Sequence, residues 1–333
     1  MSYLKRSLRR TFGMAIGILG LVLSLGIIAH AGEKIQFQNW WVWQPNTSPF
    51  WLAIDSGFYK EQGLDVNYVE GKGSSYAIQA VGAEKADIGV SDLGTAAFGI
   101  SRKTPIKAVF SFLQSGPQAV ISHRKTGIKK PKDVEGKRVA FGPADSGWIL
   151  FPAFANANGI DMSKIIQVSA GPSSMRQLLL ANKVEAILNY FTSVPEIASQ
   201  GADLTYLRYS DYGVSLLGGG LIAHEKTIKN RGAMLRKFVK ATMKGFAEAL
   251  KDPEKSIVNL MKRAPMTVSK KNIALENLTM SLSLLHTKRS KGKPIGWMDR
   301  GDWESTIHLL AKYRKMKPLA VDRYYTNDFI AKD

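Results

Sequence analysis

The residues best suited to hold a small molecule lie in WWVWQPNTSP, residues 40 to 49. Trp40, Trp41 and Trp43 carry flat apolar faces that stack on a planar ring, and Asn46 and Ser48 set polar edges beside them. A second cluster, Gly71-Lys72-Gly73-Ser74-Ser75, reads as a glycine-rich turn entering a helix. Such a turn either presents N–H groups to an anion, with Lys72 adding charge, or is an ordinary helix cap. It lacks the GxxxxGK[ST] spacing of a P-loop. Asp92, Asn189 and Tyr190 each fall at the carboxyl end of a predicted strand, where open parallel sheets bind ligands, and Asp92 also reads as a helix cap. The expected ligand-binding set is therefore Trp41, Trp43, Asn46, Ser48, Lys72, Ser74, Asp92, Asn189 and Tyr190. Gly142 to Ser146 is a weaker candidate, resting on position alone. Trp40 and Trp41, if both lie in a strand, must point to opposite faces, which makes at least one of them structural.

Motifs for catalysis are missing. The chain has no cysteine, so no thiolate nucleophile, disulfide or thiolate metal site can form. His123, His224, His286 and His308 are scattered, and His224-Glu225 meets Ile228 where a zinc motif needs a second histidine. Gly89 to Gly94 does not have the GxSxG spacing of a nucleophile elbow. No catalytic residue, metal or cofactor is expected.

The elements around these residues alternate strand and helix. Lys34 to Asn39 reads as a first strand. Ser48-Pro49 starts a helix that the pattern carries to Lys60, with Gly63 ending it in a left-handed conformation and Leu64 to Val69 as the second strand. A helix to Ala83, a strand at Asp87 to Val90, a helix from Leu93 to Arg102 and strands at Ile106 to Phe112 and Gln118 to His123 follow. Gln114 to Pro117 is the first crossing between two lobes. The second lobe repeats the pattern: strand Arg138 to Phe141, helix Trp148 to Asn158 with Pro152 awkwardly inside it, and strand Ile165 to Val168. A helix capped by the Ser174/Gln177 box comes next, then strands at Val184 to Leu188, Leu207 to Tyr212 and Leu216 to His224. Gly218-Gly219-Gly220 lets the chain return, and helices broken at Pro253, Pro265 and Pro294 finish it. The expected lobes are 32 to 117 with 225 to 333, and 118 to 224.

Met1 to Ala31 reads as a cleavable signal peptide: Lys5, Arg6, Arg9 and Arg10, an apolar run from Ala15 to Ala29, and Ala29-His30-Ala31 as the cleavage site. The apolar run falls short of the ~20 residues that span a bilayer. Arg9-Arg10-Thr11-Phe12 resembles a twin-arginine export core, though the general secretory route fits as well. Beyond the leader, 42 Lys and Arg face 27 Asp and Glu, a balance of +15. The field attracts anions, but no nucleic-acid-binding motif accompanies it, and most of this charge reads as solvated surface. No nucleic-acid partner is expected.

GFYKEQGLDV at 57 to 66, ADIGVSD at 86 to 92, GWMDRGDW at 296 to 303 and YYTNDF at 324 to 329 together span most of the chain. In these stretches the sequence resembles the periplasmic solute-binding proteins of ABC importers for nitrate, sulfonates, taurine and thiamine-precursor pyrimidines. WQPNT at 43 to 47 resembles the WxPNT of the pyrimidine branch, without the histidine that branch carries nearby. The resemblance implies an α/β fold of two lobes, each a mostly parallel sheet flanked by helices, joined by two strand-like crossings. It also implies a monomeric periplasmic protein that captures a small aromatic or organic-anion solute for a membrane permease and its ATPase. Alternatives are a ligand sensor for a membrane receptor and, less favoured, an enzyme like the related pyrimidine-phosphate synthase, whose cysteine-rich motif has no counterpart here.

Overall fold

Residues 32–265 and 270–330 are described in this computed structural model. The signal-peptide reading of residues 1 to 31 lies outside them.

The chain builds two five-stranded sheets. The first opens with β1 (Glu33–Gln38), whose inward Ile35 and Phe37 flank exposed Gln36, while Gln38 at the strand end is buried. Helix α1 (Ser48–Asp55) follows, then a single turn, α2 (Phe58–Glu61). The expected single helix is thus broken, because Gly57 takes φ 76°, which a helix interior does not admit. Strand β2 (Leu64–Val69), helix α3 (Ser74–Gly82), strand β3 (Ile88–Asp92), helix α4 (Leu93–Ser101) and strand β4 (Ile106–Ser111) complete this stretch.

The second sheet takes β5 (Gln118–His123), β6 (Arg138–Phe141), α5 (Ser146–Ala157), β7 (Ile166–Ser169), α6 (Pro172–Leu180), β8 (Ala186–Tyr190), α7 (Val194–Ala198) and β9 (Leu204–Arg208). Helix α5 runs through Pro152, held by buried Leu150, Phe151 and Phe154 despite the lost backbone bond. The predicted Ser174/Gln177 box is absent. Pro172 starts α6 two residues earlier, with Gly171 at the cap and Ser174 inside the helix.

Strand β10 (Gly219–His224) returns to the first sheet, so the expectation that it completes the second lobe is corrected. The sheet orders are β2-β1-β3-β10-β4 and β7-β6-β8-β5-β9. In each, the strand entered directly from a crossing, β10 or β5, is antiparallel to both of its neighbours. Geometry dictates this: a chain arriving from the other lobe enters at the carboxyl ends of the parallel strands and must run against them.

The two crossings, at 112–117 and 214–218, pair with one another. Gly116 N–H donates to Leu216 O at 2.7 Å, and Gly218 N–H donates to Leu113 O at 2.9 Å. A Cβ on Gly218 would lie 2.8 Å from two carbonyl oxygens of the outward crossing, so glycine is what allows the close approach.

Helices α8 (Glu225–Asn230), α9 (Gly232–Lys251), α10 (Pro253–Arg263), α11 (Lys271–Leu282) and α12 (Arg300–Arg314) follow. Buried residues at helical spacing along α9, among them Leu235, Phe238, Thr242 and Phe246, pack it on the first sheet, with Phe238 edge-on to Phe37 at 5.0 Å. The last two helices also reach the other lobe, α11 against α7 and α12 against α5. The 296 and 325 segments bridge to β4 and cover its edge.

Gly245 brings α9 onto α1, where a Cβ would lie 2.6 Å from Pro49 O and 2.7 Å from the Ala53 Cβ. Because backbone rather than a flexible side chain opposes the methyl, Gly245→Ala is expected to cost about 1–3 kcal/mol, measured by urea unfolding.

Candidate functional site

Between the carboxyl ends of the two sheets lies a cavity lined by Trp40, Trp41, Gln44, Ser74, Asp145, Asn189 and Tyr190. The space open to the centre of a water molecule is only about 10 Å³, room for about one water. Entry of any ring compound therefore requires the lobes to part.

The first lobe supplies the aromatic wall. Strand β1 ends at Gln38, so the Trp40-Trp41 pair sits in the bend beyond it. Strand alternation does not apply there: Trp40 and Trp41 both border the cavity, and both are also buried in the hydrophobic core, Trp40 packing on Phe112 at 5.6 Å. Trp40 meets Tyr190 of the second lobe edge-to-face at 5.4 Å. Trp41 packs on bare backbone, its ring 3.2 Å from where a Cβ on Gly142 would stand.

The Gly71 to Ser75 turn docks this lobe on the other and does not form an anion nest. Gly71 N–H donates to Trp41 O, Gly73 N–H to Trp40 O, and Ser75 N–H to Ala144 O across the cleft at 3.0 Å. Gly73 has φ 123°, and a Cβ there would lie 2.4 Å from Ala144 O. Lys72 is exposed and does not line the cavity. Ser74 does line it, and its hydroxyl accepts from Asp92 N–H at 3.1 Å.

Two carboxylates approach from opposite lobes. Asp92, fully buried at the end of β3, caps α4 by accepting from Thr95 N–H at 2.8 Å and Thr95 Oγ1 at 3.1 Å. Its other oxygen accepts from Gln118 Nε2 at 2.5 Å. Asp145 precedes α5 and faces the cavity. Burial pushes Asp92 up to about 7, opposed by the Thr95 and Gln118 hydrogen bonds and reinforced by Asp145. Burial likewise pushes Asp145 up to about 7 against its bonds to Ser146 and Gly147. Tyr190 is raised well above the usual phenol range by burial and by both carboxylates. None of the seven lining residues is basic. Two buried donors, Trp40 Nε1 and Asn189 Nδ2, have no partner among the described residues.

The structure thus gathers Trp41, Ser74, Asn189 and Tyr190 around one cavity, with Asp92 directly behind Ser74. It places the other expected residues elsewhere. Trp43 packs into a first-lobe aromatic cluster with Trp51 at 4.9 Å and Tyr68 at 4.8 Å. Asn46 is buried in a 3-10 turn packed on α11. Ser48 is fully buried and bonds Ser256 of α10 at 2.7 Å, and Thr47 rather than Ser48 holds the N-cap position of α1, without a side-chain capping bond. Sequence reasoning missed Gln44 and Gln118. Asp145 and Ser146 lay inside the 142 to 146 stretch that had only position to support it.

Two lobes closing on a cavity at the carboxyl ends of their sheets define the two-lobed binding-protein fold. The alkanesulfonate-binding protein SsuA from Xanthomonas axonopodis pv. citri shares it, with a TM-score of 0.68 at 14% identity, over 89% of this chain and 99% of that one. The chain belongs to the NMT1/THI5 like family, whose model matches residues 44–256. It is 22% identical to a formylaminopyrimidine-binding protein of Halalkalibacterium halodurans, over 80% of this chain and 82% of that one. It is also 24% identical to the 4-amino-5-hydroxymethyl-2-methylpyrimidine phosphate synthase THI11 of Saccharomyces cerevisiae, over 67% of this chain and 69% of that one.

Opening the cleft returns both carboxyls to water and toward the ordinary aspartate value of about 3.9, so closure takes up protons. The closed form is accordingly expected to lose ground as pH rises from about 4 to about 7, and to level off above that. Small-angle scattering should show a more compact protein at pH 5 than at pH 8, and Asp92→Asn with Asp145→Asn should erase the difference.

Proposed function

We propose that this protein is the solute-binding component of an ABC importer, holding a small planar nitrogen heterocycle between its lobes. The carrying observation is the cavity's chemistry: indole and phenol rings for a flat guest, a carboxylate at Asp145 for its N–H donors, and unpartnered Trp40 and Asn189 donors for its ring nitrogens. An amino-substituted pyrimidine carries both kinds of group on one edge. A sulfonate or nitrate would meet the Asp145 carboxylate, with Asp92 buried behind Ser74, and no lining cation, which weighs against the organic-anion half of the sequence expectation. The formylaminopyrimidine-binding relative supports the ring.

Binding, rather than turnover, is the reading adopted. The lining offers neither histidine nor thiol, although the synthase relative makes a turnover assay a necessary control. The leader, the fold and the family support export to the periplasm and delivery to a permease. Intact-mass measurement of the exported protein is expected to place Gly32 at its start.

Calorimetry should compare 4-amino-5-hydroxymethyl-2-methylpyrimidine, its formylamino relative, an alkanesulfonate and nitrate. An aminopyrimidine is expected to bind, Asp145→Asn to weaken it about tenfold or more, and Lys72→Ala to leave it unchanged. Tight sulfonate or nitrate binding with no response to any pyrimidine overturns the reading.

A further inference from the structure

Gln118 is the first residue of β5, directly after the outward crossing, and it is buried. Its carboxamide nitrogen touches both lobes. It donates to Asp92 Oδ2 of the first lobe at 2.5 Å and to Ser146 Oγ of the second at 3.3 Å. Ser146 Oγ in turn lies 3.0 Å from the Tyr190 hydroxyl, at the cavity wall. A polar path therefore runs from the α4 cap through Gln118 to a cavity residue, and its one inter-lobe link is the carboxamide.

The hinge holds that carboxamide in place. Gly116 lies in the crossing, with its N–H donated to Leu216 O of the return crossing. A Cβ on Gly116 would stand 2.5 Å from Gln118 Oε1 and 3.1 Å from Leu216 O. The oxygen thus lies against the bare hinge backbone, and the nitrogen is left turned toward Asp92. A change of backbone angle at the crossing moves Gln118 directly.

We propose that Gln118 is the positioning residue that couples hinge geometry to lobe closure: the closed cleft requires its carboxamide to donate to Asp92. Closure buries Asp92, whose second oxygen has only this donor among the described residues, and a buried carboxylate oxygen without a partner is strongly disfavoured. Opening breaks the contact and lets water solvate the carboxylate. The titratable groups facing this cluster are Asp92, Asp145, Tyr190 and Tyr209.

Small-angle scattering on the ligand-free full chain at pH 5 and pH 8 tests this, with thermal unfolding to verify folding. This readout does not depend on the proposed function. Gln118→Leu cannot donate and is expected to be expanded at both pH values, by about 1 Å over the roughly 19 Å radius of gyration of a compact chain of this size. Gln118→Glu separates positioning from mere packing. Protonated at pH 5 it can donate to Asp92 and close, whereas ionised at pH 8 it sets a like charge against Asp92 and opens. Its pH response should exceed that of the wild type. Gly116→Ala, which displaces the carboxamide without removing it, is expected to behave as Gln118→Leu does. Should Gln118→Leu fail to fold, the Glu variant and Gly116→Ala carry the test.

A Gln118→Leu protein as compact as the wild type at both pH values overturns the proposal, as does a Gln118→Glu protein compact at both. A second arm rests on the proposed function. With 4-amino-5-hydroxymethyl-2-methylpyrimidine as probe, Gln118→Leu should lose about tenfold in affinity, because a smaller fraction of the protein is competent to close. Failure of the wild type to bind that probe would count against the proposed ligand and leave the scattering result to decide the role of Gln118.

Discussion

Asp92 and Asp145, one from each lobe, are brought into a closed cleft that none of the seven lining residues neutralises with a cation. Removing charge from water is costly unless it is paired, protonated or richly hydrogen-bonded. The closed form meets that requirement with Thr95 as donor to Asp92, with Gln118 reaching between lobes, and with a raised affinity for protons. A guest rich in N–H groups would meet it further. The carboxylates therefore bear both on which ligands suit the cleft and on the balance between its open and closed forms.

The site exists because the chain crosses twice between sheets. Each crossing feeds a strand that runs against its neighbours, placing Gln118 at the start of β5 and Gly219 at the start of β10, both at the cleft end. Glycines at 116 and 218 allow the two crossings to pair backbone to backbone, which gives the hinge a defined geometry. Helices α11 and α12 then reach from the first sheet onto the second lobe, so closure is supported at the flanks as well as at the floor.

Net charge and local charge point in opposite directions. The +15 balance beyond residue 31 is a property of the surface, while the cavity is acidic. Field at a distance influences what approaches, but a desolvated site discriminates through the groups that touch the guest. Lys72 illustrates the difference: two residues before cavity-lining Ser74, it is nonetheless exposed to solvent.

Much of the fold was legible because periodicity and turn chemistry act locally. Strands at Leu64–Val69, Gln118–His123 and Arg138–Phe141, the Gly63 terminus and the Pro253 break all follow from residue types within a few positions of each other. The tryptophan-rich loop and the Asn189-Tyr190 strand end could be placed near a ligand by the same local logic. Selection among neighbours could not. Trp40 lines the cavity while Trp43 packs on Tyr68, and Ser48 bonds Ser256, 208 residues away. Gln118 became important through Asp92, a residue of the other lobe. The sequence by itself determined the elements and the ends of the strands, because those depend on local backbone preference. Only the tertiary structure decided which side chains face one another across the cleft, because that depends on where a twice-crossing chain brings two sheets together.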